Sequence, residues 1–380
     1  MLYIDISAAV HGRAGLGRYS QQLAHELITA QPNRYALFYN HGRAGRLPDS
    51  LRQLVHAHAL PTRRINLGYK PWRTAVLLGH LLRQPLNCLV PDARLFHSTE
   101  HLLMPLHGIP TVLTVHDLIY KLFPAYHKKL NYWYLNLAMP LYCRRATAIV
   151  AVSQATRRDI VKYYGVDPAK IHVVYEAASS LFQPPPLARI ASVRQKYRLP
   201  ERFLIHLSTI EPRKNLSRLL DALKALRQLF PGLSLVLAGG KGWLYGDFFA
   251  KVEAQGLVDA VYVLGWVPDE DLPAVIAAAA LAVQPSLYEG FGLPILEHMA
   301  CGQVVAASRS SSHPEVGGAA AVYFDPLSAE EMAAVIHHLL SNRDEYQHRR
   351  QLSREQAAKF SWQRAAQETI AVYDQLLREN

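Results

Sequence analysis

A chain of 380 residues, half of them apolar and 19% charged, is long for one core and points to two domains. No run approaches the roughly 18 apolar residues of a membrane span. The opening "MLYIDISAAV" shows no secretory leader, and Cys88, Cys143 and Cys301 lack the spacing of a metal or disulfide framework. A cytoplasmic globular protein is expected. Its charge of +11 is uneven: residues 1–180 carry 21 Lys and Arg against 9 Asp and Glu, the remainder 20 against 21. A basic first half implies an anionic partner (nucleic acid, an anionic membrane surface or a phosphorylated substrate) or simply a soluble basic surface.

In chain order, "LYIDISAA" reads as a strand, and "HGRAGLGRYSQQLAHEL" then puts Gly15 and Gly17 in a short turn before a helix. Such a turn lets backbone approach a ligand, although it is not GxGxxG. "YALFYN" is a second strand. Residues 63–84 and 119–145 interleave aromatics with Lys and Arg. Either segment can lie in a lipid headgroup layer, or be an ordinary helix that buries Trp133 and Leu137. "HSTEH", His97 to His101, lacks the HExxH order of a zinc helix. "TVLTVHD" ends a strand with His116 and Asp117, and a lone histidine there is more often structural than catalytic. "AIVAVS" and "IHVVYE" follow, and then the three prolines of "SSLFQPPPLARIAS" mark an interdomain linker.

Beyond the linker the alternation is cleaner. "FLIHLST", "LSLVLAGG", "VYVLGWV", "LAVQPS", "VVAAS" and "AVYF" are strands separated by helix or loop, the signature of parallel sheet covered on both faces. In "NLSRLLDALKALRQLFPG", Asn215 is a plausible N-cap, and Leu216, Leu219, Leu220, Leu223 and Leu226 recur at helical spacing until Pro231-Gly232. The last segment is an amphipathic helix. Two such α/β halves make two Rossmann-like domains facing each other across a cleft.

Open parallel sheets bind ligands beyond the carboxyl ends of their strands. In "IEPRKN", Arg213 and Lys214 stand just before a helix, where unpaired amides already favour an anion. In "PSLYEGFGLPILEHMACG", Glu289 and Glu297 stand eight apart around Gly290 and Gly292, with Pro294 opening a helix that Gly302 closes. A glycosidase pair, a metal site and a substrate clamp all use carboxylates. The phosphate-type loop argues against the first, and the lack of a DxD or histidine cluster against the second.

Taken together, "GLGRYSQQL", "TVHDLIYKLFP", "AIVAVSQATRRDIVKYYGVDPAKIHVVYEAAS", "STIEPRKNLSRLLDAL", "PSLYEGFGLPILEHMACG" and "SHPEVGGAAAVYFDP" resemble the family-4 glycosyltransferases of GT-B fold over nearly the whole chain. The spacing of Glu289 and Glu297 is that family's E-x7-E motif. The resemblance implies an acceptor-binding domain at 1–180, a linker at 181–192, a nucleotide-sugar domain at 193–361, and a helix at 362–380 returning to the first domain. It implies that Glu289 holds donor-sugar hydroxyls, that Gly290, Phe291, Gly292 and Leu293 present amides, and that Glu297 bonds the ribose. Arg213 and Lys214 would neutralise the diphosphate, Val267 would lie by the base, Gly15 and Gly17 would approach the diphosphate, and His116 would touch the transferred sugar.

Val304, where the family usually has proline, and Glu176-Ala177, where it often has Asn-Gly, are departures. The "EPRKN" form resembles transferases of bacterial O-antigen and related polysaccharides. The implied activity is retaining transfer of mannose or a deoxyhexose, from a GDP-sugar in preference to a UDP-sugar, to a lipid-linked saccharide. No metal or other cofactor is implied. The expected place is the cytoplasm, with peripheral contact through the basic domain to the cytoplasmic face of the inner membrane. An epimerase or phosphorylase of the same fold is the alternative, and a nucleic-acid-binding protein a weaker one, since no nucleic-acid module is recognisable.

Overall fold

Strands form where short runs of aliphatic and aromatic residues can be covered from both sides, and the computed structural model, which describes residues 1–42 and 45–379, contains thirteen of them among those residues. In the first half they are β1 (Leu2–Asp5), β2 (Tyr35–Asn40), β3 (Thr62–Ile65), β4 (Leu95–Ser98), β5 (Thr111–Val115), β6 (Ala148–Ala151) and β7 (Ile171–Val173). In the second they are β8 (Phe203–Leu207), β9 (Ser234–Ala238), β10 (Val261–Gly265), β11 (Leu281–Gln284), β12 (Val305–Ser308) and β13 (Val322–Phe324). Every ladder between these strands is parallel, in the orders β3-β2-β1-β4-β5-β6-β7 and β10-β9-β8-β11-β12-β13. Parallel neighbours need long crossovers, which the intervening helices supply. The edge strands β3 and β10 carry most of the exposed strand residues, while β1, β4, β5, β6, β9, β11 and β12 are wholly buried.

The chain divides into two units, Met1–Glu176 with Ser361–Asn380, and Ala177–Phe360. The first packs Phe38, Trp72, Phe96, Met139 and Tyr142 into one core, with the rings of Phe38 and Phe96 edge to face at 5.4 Å. The second buries Leu219, Leu220, Leu223 and Leu226, the apolar stripe of the helix Leu216–Leu229, against Leu235, Leu237 and Phe324. The last helix, Trp362–Glu379, belongs to the first unit and packs on the helix Ala14–Ala30. Its buried Tyr373 meets His97 Nδ1, whose Nε2 lies 2.8 Å from Thr114 Oγ1, so helix and sheet are joined by a polar seam.

Several expectations change. The linker predicted at 181–192 is helix from Leu187 to Lys196, because Pro186 sets the entry and Val193 is buried; Arg189 and Lys196 pair with buried Asp271. The units part at Glu176 rather than at residue 180. Gly15 and Gly17 lie within the first turn of the helix Ala14–Ala30, not in a turn ahead of it. A Cβ on Gly17 would stand 3.0 Å from the carbonyl oxygen of Ala8, so that glycine serves close packing. Trp133 and Leu137 are 69% and 56% exposed, so the helix Lys129–Arg145 does not bury them.

Candidate active site

In both sheets the order reverses beside the first strand, between β1 and β4 and between β8 and β11. Connections leave such a point in opposite directions and open a crevice at the carboxyl ends of the strands. In the second unit this brings together two loops that sequence alone leaves 75 residues apart, and the backbone N–H of Leu287 donates to Arg213 O at 2.9 Å.

After β8, Pro212–Lys214 makes a single 3-10 turn, and Asn215 takes a left-handed conformation at φ +59°. Asparagine tolerates that region better than other non-glycine residues. Its side chain does not cap the helix as predicted. Instead Nδ2 donates to Pro285 O at 3.0 Å and Pro326 O at 2.7 Å, while Oδ1 accepts from Arg218 at 2.9 Å. Asn215 is therefore a tie between loops.

After β11 the chain runs to Gly292, whose φ of +102° opens the helix Leu293–Ala300. Any side chain there would be strained, and a Cβ would lie 3.2 Å from the His313 ring. Two serines lace the loop down. Ser311 Oγ accepts from Glu289 N at 2.8 Å, and Ser312 Oγ donates to Phe291 O at 2.6 Å and Glu289 O at 3.1 Å.

Glu289 sits at the centre. Lys214 Nζ donates to its Oε1 at 2.6 Å, and Arg213 Nη1 lies 2.8 Å from its Oε2. Arg213 also donates to Tyr288 O at 2.7 Å and pairs with buried Glu211. Burial alone would raise the Glu289 pKa, but Arg213 and then Lys214 outweigh it and hold the carboxyl far below its ordinary range. Lys214 is pulled below its ordinary value by burial and by Arg213, with Glu289 opposing. Two cations and two carboxylates thus form one nearly buried, charge-balanced cluster.

Other predicted residues of this unit fall on the segments that follow β10 and β11. Phe291 is buried and meets Phe360 edge to face at 6.0 Å, Glu297 is buried in the second turn of its helix, and Val267 is buried just past β10. Gly290 and Leu293 complete the loop. Glu211, Ser311 and Ser312 were missed. Glu211 stands in the same "IEPRKN" run as the cations it balances, and was legible there; the serines, some twenty residues downstream, gave no signal.

In the first unit, Gly15, Gly17 and His116 lie near the matching edge of their own sheet. His116 is 7% exposed, with Nδ1 3.2 Å from Glu176 Oε1 and Nε2 3.0 Å from Thr99 O. Both partners only accept, so both ring nitrogens carry protons. Burial opposes that charge, but the Glu176 hydrogen bond and charge outweigh it and raise the pKa. Glu100 is also buried here, accepting from Arg13 at 2.9 Å and Tyr69 at 3.2 Å. Asp5, at the end of β1, accepts from Ser7 N and Oγ, and burial with the nearby Glu100 pushes its pKa up to about 7.

Residues 190–358 match the family described as Glycosyl transferases group 1, and residues 13–178 the Glycosyltransferase Family 4 description. The chain is 32% identical over 382 residues to the O-antigen chain mannosyltransferase B of Escherichia coli, covering 94% of this chain and 95% of that one. This chain belongs to the family-4 glycosyltransferases. The glycosyltransferase is also 32% identical over 285 residues to an MMP alpha-(1->4)-mannosyltransferase of Mycolicibacterium hassiacum, covering 71% of this chain and 66% of that one. Its fold matches that of Anabaena HepE, solved in complex with UDP, at a TM-score of 0.71 and 19% identity, covering 98% of this chain and 99% of that one. The two Rossmann-like units are those of the GT-B fold.

Proposed function

We propose that this glycosyltransferase moves mannose or a related deoxyhexose from a GDP-sugar to a lipid-linked saccharide, with retention, during synthesis of a cell-surface polysaccharide. The observation that carries the reading is the Arg213–Lys214–Glu289 cluster at the switch point of the second sheet. The mannosyltransferase names of similar proteins favour mannose, and one further similar protein is named as GDP-mannose-dependent.

In this reading the second unit holds the donor. Glu289 uses its remaining lone pairs to accept from sugar hydroxyls, and Glu297 accepts from the ribose. Gly290 to Leu293 present amides, and Val267 borders the base. The bond between the anomeric carbon and the diphosphate oxygen breaks while the acceptor hydroxyl forms its bond on the same face. The hydroxyl proton passes to the departing phosphate oxygen. Arg213 and Lys214 stabilise the charge growing on that phosphate, which is where preorganised cations act most strongly. With their charge present, no metal is required. The first unit takes the acceptor, and the protonated His116, held by Glu176 and Thr99, positions the end of β5. The basic surface of that unit meets the cytoplasmic face of the inner membrane.

The test is transfer from GDP-mannose to a lipid-linked oligosaccharide, with product anomer read by NMR and EDTA present throughout. Arg213→Lys keeps the charge but loses the fork that spans Glu289 and Glu211, so turnover should fall by roughly 100-fold. Full turnover in that variant would sink the assignment, and activity that returns only with added Mg²⁺ would sink metal independence.

A further inference from the structure

A cavity of about 570 Å³ opens in the first unit at the edge of the sheet opposite the one bearing Asp5, Glu100 and His116. Thr111, the first residue of β5, and Arg145, just ahead of β6, line it. Gly79 and Pro105 pack tightly at its wall, where a Cβ on Gly79 would stand 2.9 Å from the proline ring.

Arg145 is a fixed fork. Its Nη1 donates to His80 O at 2.7 Å and lies 3.0 Å from His80 Nδ1. His80 is 2% exposed and its Nε2 lies 2.7 Å from Leu103 O. A carbonyl only accepts, so the ring proton is on Nε2 and Nδ1 accepts from Arg145. Burial lowers the His80 pKa to about 4, so the ring is neutral. The other guanidinium donors of Arg145 have no partner among the described residues. Arg83 also lines the cavity, exposed, in a left-handed conformation at φ +55°, and its side chain has no partner among the described residues. Gln84 and His107 also line it.

No described lining residue is acidic. The sequence has no Asp or Glu between Asp49 and Asp92, between Glu100 and Asp117, or between Asp117 and Asp159, the three stretches that supply this lining. The contrast with the Glu289 cluster is direct, since there each cation has a carboxylate. Arg83 and Arg145 each follow or end a helix, which accounts for a cation at each terminus. It does not account for both meeting at one cavity without a counter-charge. Leu78, Leu81 and Leu82, at the end of the helix Tyr69–Leu81 that Arg83 follows, are 48%, 53% and 66% exposed.

We propose that this cavity binds the phosphate of a phosphate ester that carries an apolar arm, with Arg83 and Arg145 on the phosphate oxygens and the three leucines along the arm. Paired guanidinium forks match phosphate geometry, and the volume exceeds what a bare phosphate fills. A membrane phospholipid is the source the leucines favour. The site deepens the membrane contact proposed above and rests on that reading only for its source.

Flotation of the full chain with vesicles of phosphatidylcholine, with and without phosphatidylglycerol, tests it, alongside thermal shift with glycerol 3-phosphate. Wild type should float with the anionic vesicles, and Arg83→Ala and Arg145→Gln should each cut partitioning by about tenfold. Hydrogen-exchange protection of β4, β5 and β6 should be unchanged in both variants, which reports that the first unit stays folded. If glycerol 3-phosphate stabilises wild type but not Arg83→Ala, and anionic vesicles recruit nothing, the site stands with a soluble ester as its source. Equal partitioning of wild type and both variants, or no response to either phosphate source, overturns it. Because Arg83 and Arg145 lie outside the donor cluster, loss of vesicle binding counts for the site even where GDP-mannose transfer is absent.

Discussion

Glu289 is a counter-ion as well as a ligand candidate. Replacing it with Gln leaves Lys214 and Arg213 nearly buried with one carboxylate, Glu211, between them. Breaking a buried pair costs about 3–5 kcal/mol. Glu289→Gln is therefore expected to destabilise the second unit by about 3 kcal/mol in urea unfolding at pH 7, as well as to lose transfer. Its pKa is lowered on folding, so the stabilisation is complete above the ordinary carboxylate value and is lost as pH falls toward the lowered one. The difference between wild type and Glu289→Gln should shrink below pH about 4. Asp5 behaves in the opposite sense. Its pKa is raised to about 7, so the folded protein holds the proton more tightly and stability falls as pH rises between about 4 and about 7. Asp5→Asn keeps an acceptor for Ser7 and removes that dependence. The variant should gain on wild type across that window, by up to about 4 kcal/mol at pH 8. A parallel pair of stability–pH curves would show that Asp5 does not carry the proton.

At the scale of elements, the last helix is structural to a unit whose sequence it lies far from. Trp362, Val372, Tyr373 and Leu376 are each buried, against the helix Ala14–Ala30 and the sheet. Burial of such side chains contributes about 1.5–3 kcal/mol each, which together approaches the whole stability of a domain, about 5–15 kcal/mol. Deleting residues 361–380 should abolish protection of β1, β4 and β5 in hydrogen exchange and leave β8 to β12 protected. The loop before the helix Leu293–Ala300 is an element of another kind, held by a left-handed glycine and two serines. Gly292→Ala should cost about 1–3 kcal/mol through strain at φ +102°, and thermal unfolding of the second unit measures it.

At the scale of the whole molecule, two units with separate cores should answer ligand separately. GDP-mannose at 100 times its dissociation constant adds about 2.7 kcal/mol to the unit that binds it, or roughly 5–11 °C for a unit this size. Calorimetry should show one of two transitions moving, the one lost when Glu289 is replaced. No described helix is long and apolar enough to cross a membrane, so any membrane contact of these residues through helices is made at a surface. The basic excess of residues 1–180 is where that contact would be electrostatic and salt-sensitive.

Much of this was legible in the sequence. The α/β alternation, the two sheets and the leucine stripe of the helix Leu216–Leu229 followed from periodicity, because burial on both faces of a parallel sheet demands continuous apolar runs. Arg213, Lys214 and Glu289 were legible as candidates, because glycines and a helix start mark a ligand loop locally. Tertiary structure decided which of them touch. The reversal of strand order between β8 and β11 brings Lys214 onto Glu289 across 75 residues, and no local pattern encodes that pairing. It also decided that Asn215 ties loops instead of capping, that Gly17 makes room for Ala8, and that Trp133 faces outward. Each of these depends on what a distant segment places beside the residue, and sequence spacing carries no information about that neighbour.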